Sequence, residues 1–205
     1  MTNADLRSAD LRNANLEGAD LSDAWLDDVN LSSANLSGVD LRGARLNRAN
    51  LVGVDLQNVK NLRQAVLEGT YLSGVDLANA YLRNADLKRA DLKGANLAET
   101  YLGDADLDGV DLTRANLAGA YLRNVNLEKA DLSGAELTDA YLGDSNLVGT
   151  NLVDAILSHT YLGGANLKGA LVTREQLDTA SYLGAAIMPN GQKYEDWIKD
   201  REDRK

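Results

Sequence analysis

Five tyrosines stand at a constant interval of twenty residues, each directly before a leucine: Tyr81, Tyr101, Tyr121, Tyr141 and Tyr161. If twenty residues make one turn of a regular structure, the rings form a column with a spacing of about 4.8 Å, the distance between neighbouring strands. Such a column is an apolar-faced strip that could bind a partner protein. Stacked aromatic side chains also stabilise a sheet surface without binding anything. The sequence leaves both interpretations open for these five candidate binding residues.

The sequence offers few residues for catalysis. His159 is the single histidine and stands at an outward position of its repeat, and there is no cysteine. The remaining nucleophiles are Ser, Thr and Tyr, and no arrangement that pairs one of them with a base is visible. No phosphate-binding, dinucleotide-binding or zinc-ligand motif occurs. We therefore expect no catalytic residue, no metal site and no cofactor, and a protein that is not an enzyme.

The net charge of −10 disfavours direct binding of nucleic acid, which depends on cationic side chains that neutralise phosphates. It leaves open a basic partner or mimicry of an acidic polymer. Arg83, Asp104, Arg123 and Asp144 alternate in sign on the side of the tyrosines, which favours attraction between neighbouring turns over a uniform field. Much of the acidity also belongs to a repeat, because the residue before a leucine is acidic at twelve positions: Asp5, Asp10, Asp20, Asp40, Asp55, Asp76, Asp86, Asp91, Asp106, Asp111, Asp131 and Glu136.

Leucine recurs at every fifth residue from Leu6 to Leu56 and again from Leu62 to Leu167, and Val172 keeps the register. An α-helix would spread these side chains around its axis, and a flat strand would alternate them between two faces. A chain that turns a corner every five residues brings all of them to one interior. The residue two before the leucine is Ala, Val, Thr or Ser in nearly every unit, and a small residue is what an inner corner requires. The residue before the leucine is mostly Asp or Asn, which favours turns.

The pattern Ala-(Asp/Asn)-Leu-x-x over residues 4 to about 172 resembles the pentapeptide-repeat family, whose members are common in cyanobacteria and other bacteria. The resemblance implies an all-β fold, a right-handed quadrilateral parallel β-helix with about twenty residues per coil and about eight coils. The tyrosine period of twenty agrees with four sides, since steps of fifteen from Tyr81 reach Asn96 and Asp111, which are not aromatic.

We expect residues 1–172 to form the β-helix, with a one-residue bulge near 59–61. Between Leu56 and Leu62 the chain has one residue too many. Val59 can still fill the small inner site, which leaves the bulge near Lys60 or Asn61.

Residues 173–192 are predicted to form a C-terminal helical cap and a turn. Thr173 and Gln176 match a capping box, which predicts a short α-helix from about Arg174 to Tyr182. Residues 193–205 form a charged amphipathic tail that is either a second packed helix or frayed.

The sequence predicts a non-enzymatic structural or protein-interaction scaffold with an unknown protein partner. No cap is visible at the N-terminal end, so we expect a monomer or an end-to-end dimer. No stretch approaches the ~18 apolar residues of a membrane span, and the first residues do not resemble a signal peptide. We expect a cytoplasmic protein without membrane contact. The alternative comes from the resemblance: some family members resemble duplex DNA and bind DNA gyrase, so this chain could be a DNA mimic that binds gyrase or another DNA-binding protein.

Overall fold

The chain winds into a parallel β-helix in which most of the described residues before a leucine form a bridge with the residue one coil away. The computed structural model describes residues 1–54, 56, 59 and 61–202, with side chains up to 200. Within these residues the β-contacts are isolated bridges rather than longer strands. Most join residues twenty apart, as in Asp5–Trp25 and Tyr101–Tyr121. The backbone N–H of Leu102 donates to Tyr121 O at 2.9 Å, and Tyr121 N–H donates back to Thr100 O at 2.9 Å.

Each corner of a coil is a tight turn that begins at the leucine. At one corner, the N–H of Ala105 donates to Leu102 O at 3.0 Å, and the intervening Asp104 has a φ of 62°. In a type II turn the second of the two central residues has a positive φ and the first does not, as here. The side chain before the leucine supports the turn as the sequence predicts: Asn116 Oδ1, for example, accepts the N–H of Ala118 at 3.2 Å. The pentapeptide is therefore one bridge followed by one turn.

The leucines fill the interior. Leu21, Leu102 and Leu167 are fully buried, whereas Leu6 and Leu11 in the first coil are only partly covered. Each buried leucine contributes roughly 1.5–3 kcal/mol. Some small inner sites carry a hydroxyl, and its hydrogen bond goes to a leucine carbonyl of the preceding coil. The pairs are Thr70–Leu46, Thr100–Leu77, Ser145–Leu122, Thr150–Leu127 and Thr160–Leu137.

The extra residue before Leu62 shifts the pairing once. The bridges Asp40–Asn61, Arg45–Val66 and Asn50–Tyr71 join residues 21 apart, and the next bridges return to twenty. Val59 is buried in the small inner site, as the sequence predicts. Lys60, at the predicted bulge, lies outside the described residues.

Helix α1 spans Arg174–Asp178 and interrupts the last coil. Thr173 and Gln176 form a reciprocal capping box at its N-terminus. Gln176 Nε2 also donates to Leu152 O and Ala155 O, both at 2.7 Å, and so covers carbonyls at the rim of the coil beneath. The helix is shorter than the sequence suggests, because the chain returns to the coil.

After α1 the chain resumes the β-helix for part of a coil. Tyr182 bridges Tyr161, Ile187 bridges Asn166, and Met188 is fully buried. Helix α2 then spans Tyr194–Glu202. Trp197 in α2 packs against the core, with the guanidinium of Arg174 5.0 Å from its ring centroid. The predicted segment 173–192 therefore contains a short helix and a returning piece of β-helix, and the tail contains a second helix.

Candidate protein-interaction surface

The five predicted tyrosines form a single stack on one face of the β-helix. The ring centroids of Tyr81, Tyr101 and Tyr121 are 4.9 and 4.8 Å apart, with planes within 5° of parallel. The distance grows to 5.5 Å between Tyr121 and Tyr141, and to 6.5 Å with a 28° tilt between Tyr141 and Tyr161. The column is therefore regular from Tyr81 to Tyr121 and is widest between Tyr141 and Tyr161.

A sixth tyrosine, Tyr182, continues the stack, with its ring centroid 5.1 Å from that of Tyr161. Tyr182 was not among the predicted strip residues, because the α1 insertion breaks the interval of twenty residues before it. A signal was available, since Tyr182 precedes Leu183 just as the other five precede leucines. Tyr71 lies on a different face, where it bridges Asn50 and Asp91. We call the six stacked residues the tyrosine strip.

The tyrosine strip is exposed along its length, with fractional exposures from 39% to 51%. At the equivalent position in most other repeats, an Asp or Asn accepts the N–H of the second residue after it, as Asp106 does from Asp108. A tyrosine cannot make this bond, and among the described residues no side chain accepts the N–H of Gly103. The strip therefore replaces turn-supporting hydrogen bonds with ring contacts.

An edge of ion pairs runs beside the strip. Arg83 donates to Asp104 Oδ2 in the next coil through Nε at 3.0 Å and its terminal nitrogen at 2.8 Å. Arg123 makes the same contact with Asp144 at 3.3 and 3.1 Å. The pKa of the Asp104 carboxyl is lowered by a hydrogen bond from the Asn124 amide and then by the bond from Arg83. The attraction between coils that the alternating signs predict is present.

A groove of about 630 Å³ lies where the strip meets this edge. The rings of Tyr101 and Tyr121 line one side, and Gly103 lies between the corner arginines Arg83 and Arg123 of the coils below and above. Asp104, Asn124 and Asp144 complete the lining. The charges balance, so the groove combines aromatic surface with cations whose positions are set by carboxylates.

Several other acidic residues lie beside cations. Lys88 Nζ contacts Asp86 at 2.9 Å and Asp106 at 3.6 Å. The contact with Asp86 is the main cause, and that with Asp106 a smaller one, of the raised pKa of Lys88. Lys93 contacts Asp111 at 3.8 Å. His159 is exposed, with Nδ1 3.5 Å from Asp139 Oδ1, another exposed side chain. This single contact assigns no catalytic role to the histidine.

The fold and the repeat define a right-handed β-helix solenoid of five-residue units. A family model described as pentapeptide repeats matches the chain in eight copies, over residues 1–26, 24–60, 61–97, 95–134 and 135–174. These segments cover most of the 205 residues. The chain belongs to the pentapeptide-repeat family.

Several solved structures are similar to this chain. HetL, a pentapeptide repeat protein involved in heterocyst differentiation regulation in the cyanobacterium Nostoc sp. strain PCC 7120, is 34% identical. The match covers 94% of this chain and 92% of HetL, with a TM-score of 0.44. Rfr23 from the cyanobacterium Cyanothece 51142 is also 34% identical over 42% of this chain and 58% of its own, with a TM-score of 0.41.

Full-length QnrB1, a plasmid-mediated fluoroquinolone resistance protein, shares 13% identity, with coverages of 97% and 96% and a TM-score of 0.55. At this identity the likeness concerns the fold alone. A comparison with curated protein sequences finds no significant match. Among the described residues, no helix has both the length and the apolar character needed to cross a bilayer.

Proposed function

We propose that this protein is a non-enzymatic interaction scaffold that binds a partner protein through the tyrosine strip and its arginine–carboxylate edge. In this proposal, about eight four-sided coils form a rigid rod, and the C-terminal helices cover its last coil. The observation that carries the proposal is the exposed stack of six tyrosines at a repeat position that elsewhere is mostly Asp or Asn.

The energetics favour a binding role for this stack. A hydrogen bond that supports a turn contributes about 0.5–1.5 kcal/mol, and an aromatic pair contributes about 0.5–1.5 kcal/mol beyond area burial. In these two contributions alone, replacing the hydrogen bond by the ring contact is close to neutral. It leaves six half-exposed rings on a surface whose backbone is fixed by the bridges of the coils. Tyrosine and arginine are, with tryptophan, the residues enriched at the energetic centres of protein interfaces.

A capture experiment tests this proposal. Purified wild-type protein is immobilised and exposed to source lysate, beside the variant Tyr101→Ser/Tyr121→Ser/Tyr141→Ser. The matched control is Asp91→Ser/Asp111→Ser/Asp131→Ser, which removes a column of the same length from another face of the same coils. Circular dichroism establishes that all three proteins are folded. We expect the tyrosine variant to lose partners that the aspartate variant keeps. Identical partner lists for wild type and the tyrosine variant would refute the role of the strip.

Mimicry of duplex DNA is the second candidate function. The bridges align Asp91, Asp111 and Asp131 in a column of carboxylates with one residue per coil, on a chain with a net charge of −10. The contact of Lys93 with Asp111 weakens this candidate, because a cation interrupts the field.

A DNA-supercoiling assay with purified gyrase tests this candidate. Mimicry predicts inhibition or protection at micromolar protein and its loss in the aspartate variant. No effect of the wild-type protein would exclude gyrase as the target. The monomeric or end-to-end dimeric state and the cytoplasmic location remain predictions from the sequence.

A further inference from the structure

Four glycines occupy the same corner position beside the tyrosine strip, each two residues after a strip tyrosine: Gly103, Gly143, Gly163 and Gly184. At three of them a ring of the strip takes the space of the missing side chain. A Cβ at Gly143 would lie 3.0 Å from Tyr161 Cε1, and a Cβ at Gly163 would lie 2.7 Å from both Tyr161 Oη and Tyr182 Cδ1. A Cβ at Gly184 would overlap the hydroxyl of Tyr182. In this fold a glycine at the corner thus leaves a space that a tyrosine ring can occupy.

Gly103 has the same position but no ring. A Cβ there would meet only Arg123 O, at 3.7 Å, among the described residues outside its chain neighbours. The equivalent corners in the coils below and above carry Arg83 and Arg123. The rings of Tyr81 and Tyr121 therefore have no corner glycine two residues later over which to tilt. Tyr101 stays parallel to both, within 5°. The result is an open notch with Gly103 as its floor.

We propose that the Gly103 notch binds an aromatic side chain of the partner protein, an inference that rests on the function proposed above. The bound ring would take the place that Tyr161 and Tyr182 take at the higher corners. Arg83 and Arg123 stand below and above the notch, and a guanidinium within about 6 Å of a ring centroid attracts the face of the ring. Asp104 and Asp144 hold these guanidinium groups in position. The balanced charge of the groove gives no preference for an ion.

NMR titration of the full-length protein tests the notch directly. The probe is N-acetyl-tryptophanamide, and N-acetyl-leucinamide is its aliphatic control. We expect saturable shifts of the Gly103 amide and the Arg83 and Arg123 side-chain N–H signals with the aromatic probe only, in the millimolar range of a single side chain. Gly103→Arg fills the notch with the residue that the coils below and above already carry, and it should weaken probe binding at least tenfold.

Two further variants complete the titration. Gly103→Gln fills the notch without adding charge, and it replaces Gly103→Arg if three successive arginines disturb the fold. Thr113→Arg is the matched control: Thr113 follows Leu112 as Gly103 follows Leu102, but it lies on the opposite side of the coil. A cationic side chain already occurs at this corner one coil earlier, at Lys93. Thr113→Arg should leave binding unchanged. Absence of shifts at Gly103, equal shifts with the leucine probe, or unchanged binding in both Gly103 variants would overturn the proposal.

The capture experiment separates failure of the notch from failure of the strip. Loss of the partner by both the tyrosine variant and Gly103→Arg supports the notch. Loss by the tyrosine variant alone overturns the notch proposal and leaves the scaffold proposal standing. Retention of the partner by the tyrosine variant overturns both.

Discussion

Alanine substitution at two equivalent glycines measures whether tyrosine rings are packed into the corners of the strip. Neither Gly103 nor Gly163 has a left-handed backbone, so both accept a Cβ without backbone strain. Each change should therefore gain about 0.4–1 kcal/mol from the lower entropy of the unfolded chain. At Gly103 the new methyl has ordinary contacts. At Gly163 it would lie 2.7 Å from atoms of Tyr161 and Tyr182, and overpacking of this kind costs about 1–3 kcal/mol.

We therefore expect Gly103→Ala to be slightly more stable than wild type, and Gly163→Ala to be less stable than Gly103→Ala by about 1–3 kcal/mol. Urea denaturation followed by circular dichroism measures this difference. With a slope of about 2 kcal/mol per molar urea, the midpoints should differ by about 0.5–1.5 M. The tyrosine signal in near-ultraviolet circular dichroism should also fall in Gly163→Ala only. Coincident midpoints with unchanged tyrosine spectra would show that the rings do not occupy the corners, and would remove the premise of the Gly103 notch.

Three further predictions concern the body and the ends of the β-helix. Leu122→Ala, at a fully buried site, should lower the free energy of unfolding by about 2.7–5.0 kcal/mol in a denaturant titration. Leu11→Ala, at a partly exposed site in the first coil, should lower it clearly less. Equal losses would contradict the partial exposure of the first coil. The pKa of Asp104 is lowered, chiefly by the hydrogen bond from the Asn124 amide, so its carboxylate stabilises the fold above pH ~4 and does so less as the pH falls through the lowered pKa. The difference in denaturation midpoint between wild type and Asp104→Asn should therefore shrink on acidification. A difference that stays constant would refute this. Gln176→Ala removes the donor to two carbonyls at the rim of the coil and should lower the free energy of unfolding by about 1–3 kcal/mol. Amide hydrogen exchange should become faster at the C-terminal end only. Unchanged exchange there would contradict a stabilising role of the Gln176 side chain.

The interior and the face of the strip were predictable from the sequence because both depend on strict periods. A leucine every fifth residue has one arrangement that buries all of its copies, and an interval of twenty places Tyr81 and Tyr101 on the same face in adjacent coils. The role of Asp and Asn before the leucine was also accessible, since their side chains have a known preference for nearby backbone N–H groups.

The turn geometry and the tilt of the rings were not predicted. In the described turns that begin at a repeat leucine, the second residue after the leucine has a positive φ even at Arg48 and Lys129. The side chains of these two residues have no preference for that conformation, so the tertiary pairing of the coils imposes it. The ring positions depend on which residue stands at the corner two positions later. A period of twenty gives the column, but only three-dimensional contacts show that Tyr161 and Tyr182 lean over glycines.

The pairing interval rises to 21 beside Asn61, Val66 and Tyr71 and then returns to twenty. An insertion is therefore absorbed within one circuit of the chain and is not passed on to later circuits. Lengthening the gene by a whole multiple of twenty codons, by contrast, adds complete coils and leaves every existing lateral neighbour intact. The protein can accordingly change length by internal duplication while each surface column keeps its own residues. This gives evolution, or an engineer, a way to extend or shorten the tyrosine strip without redesigning the interior.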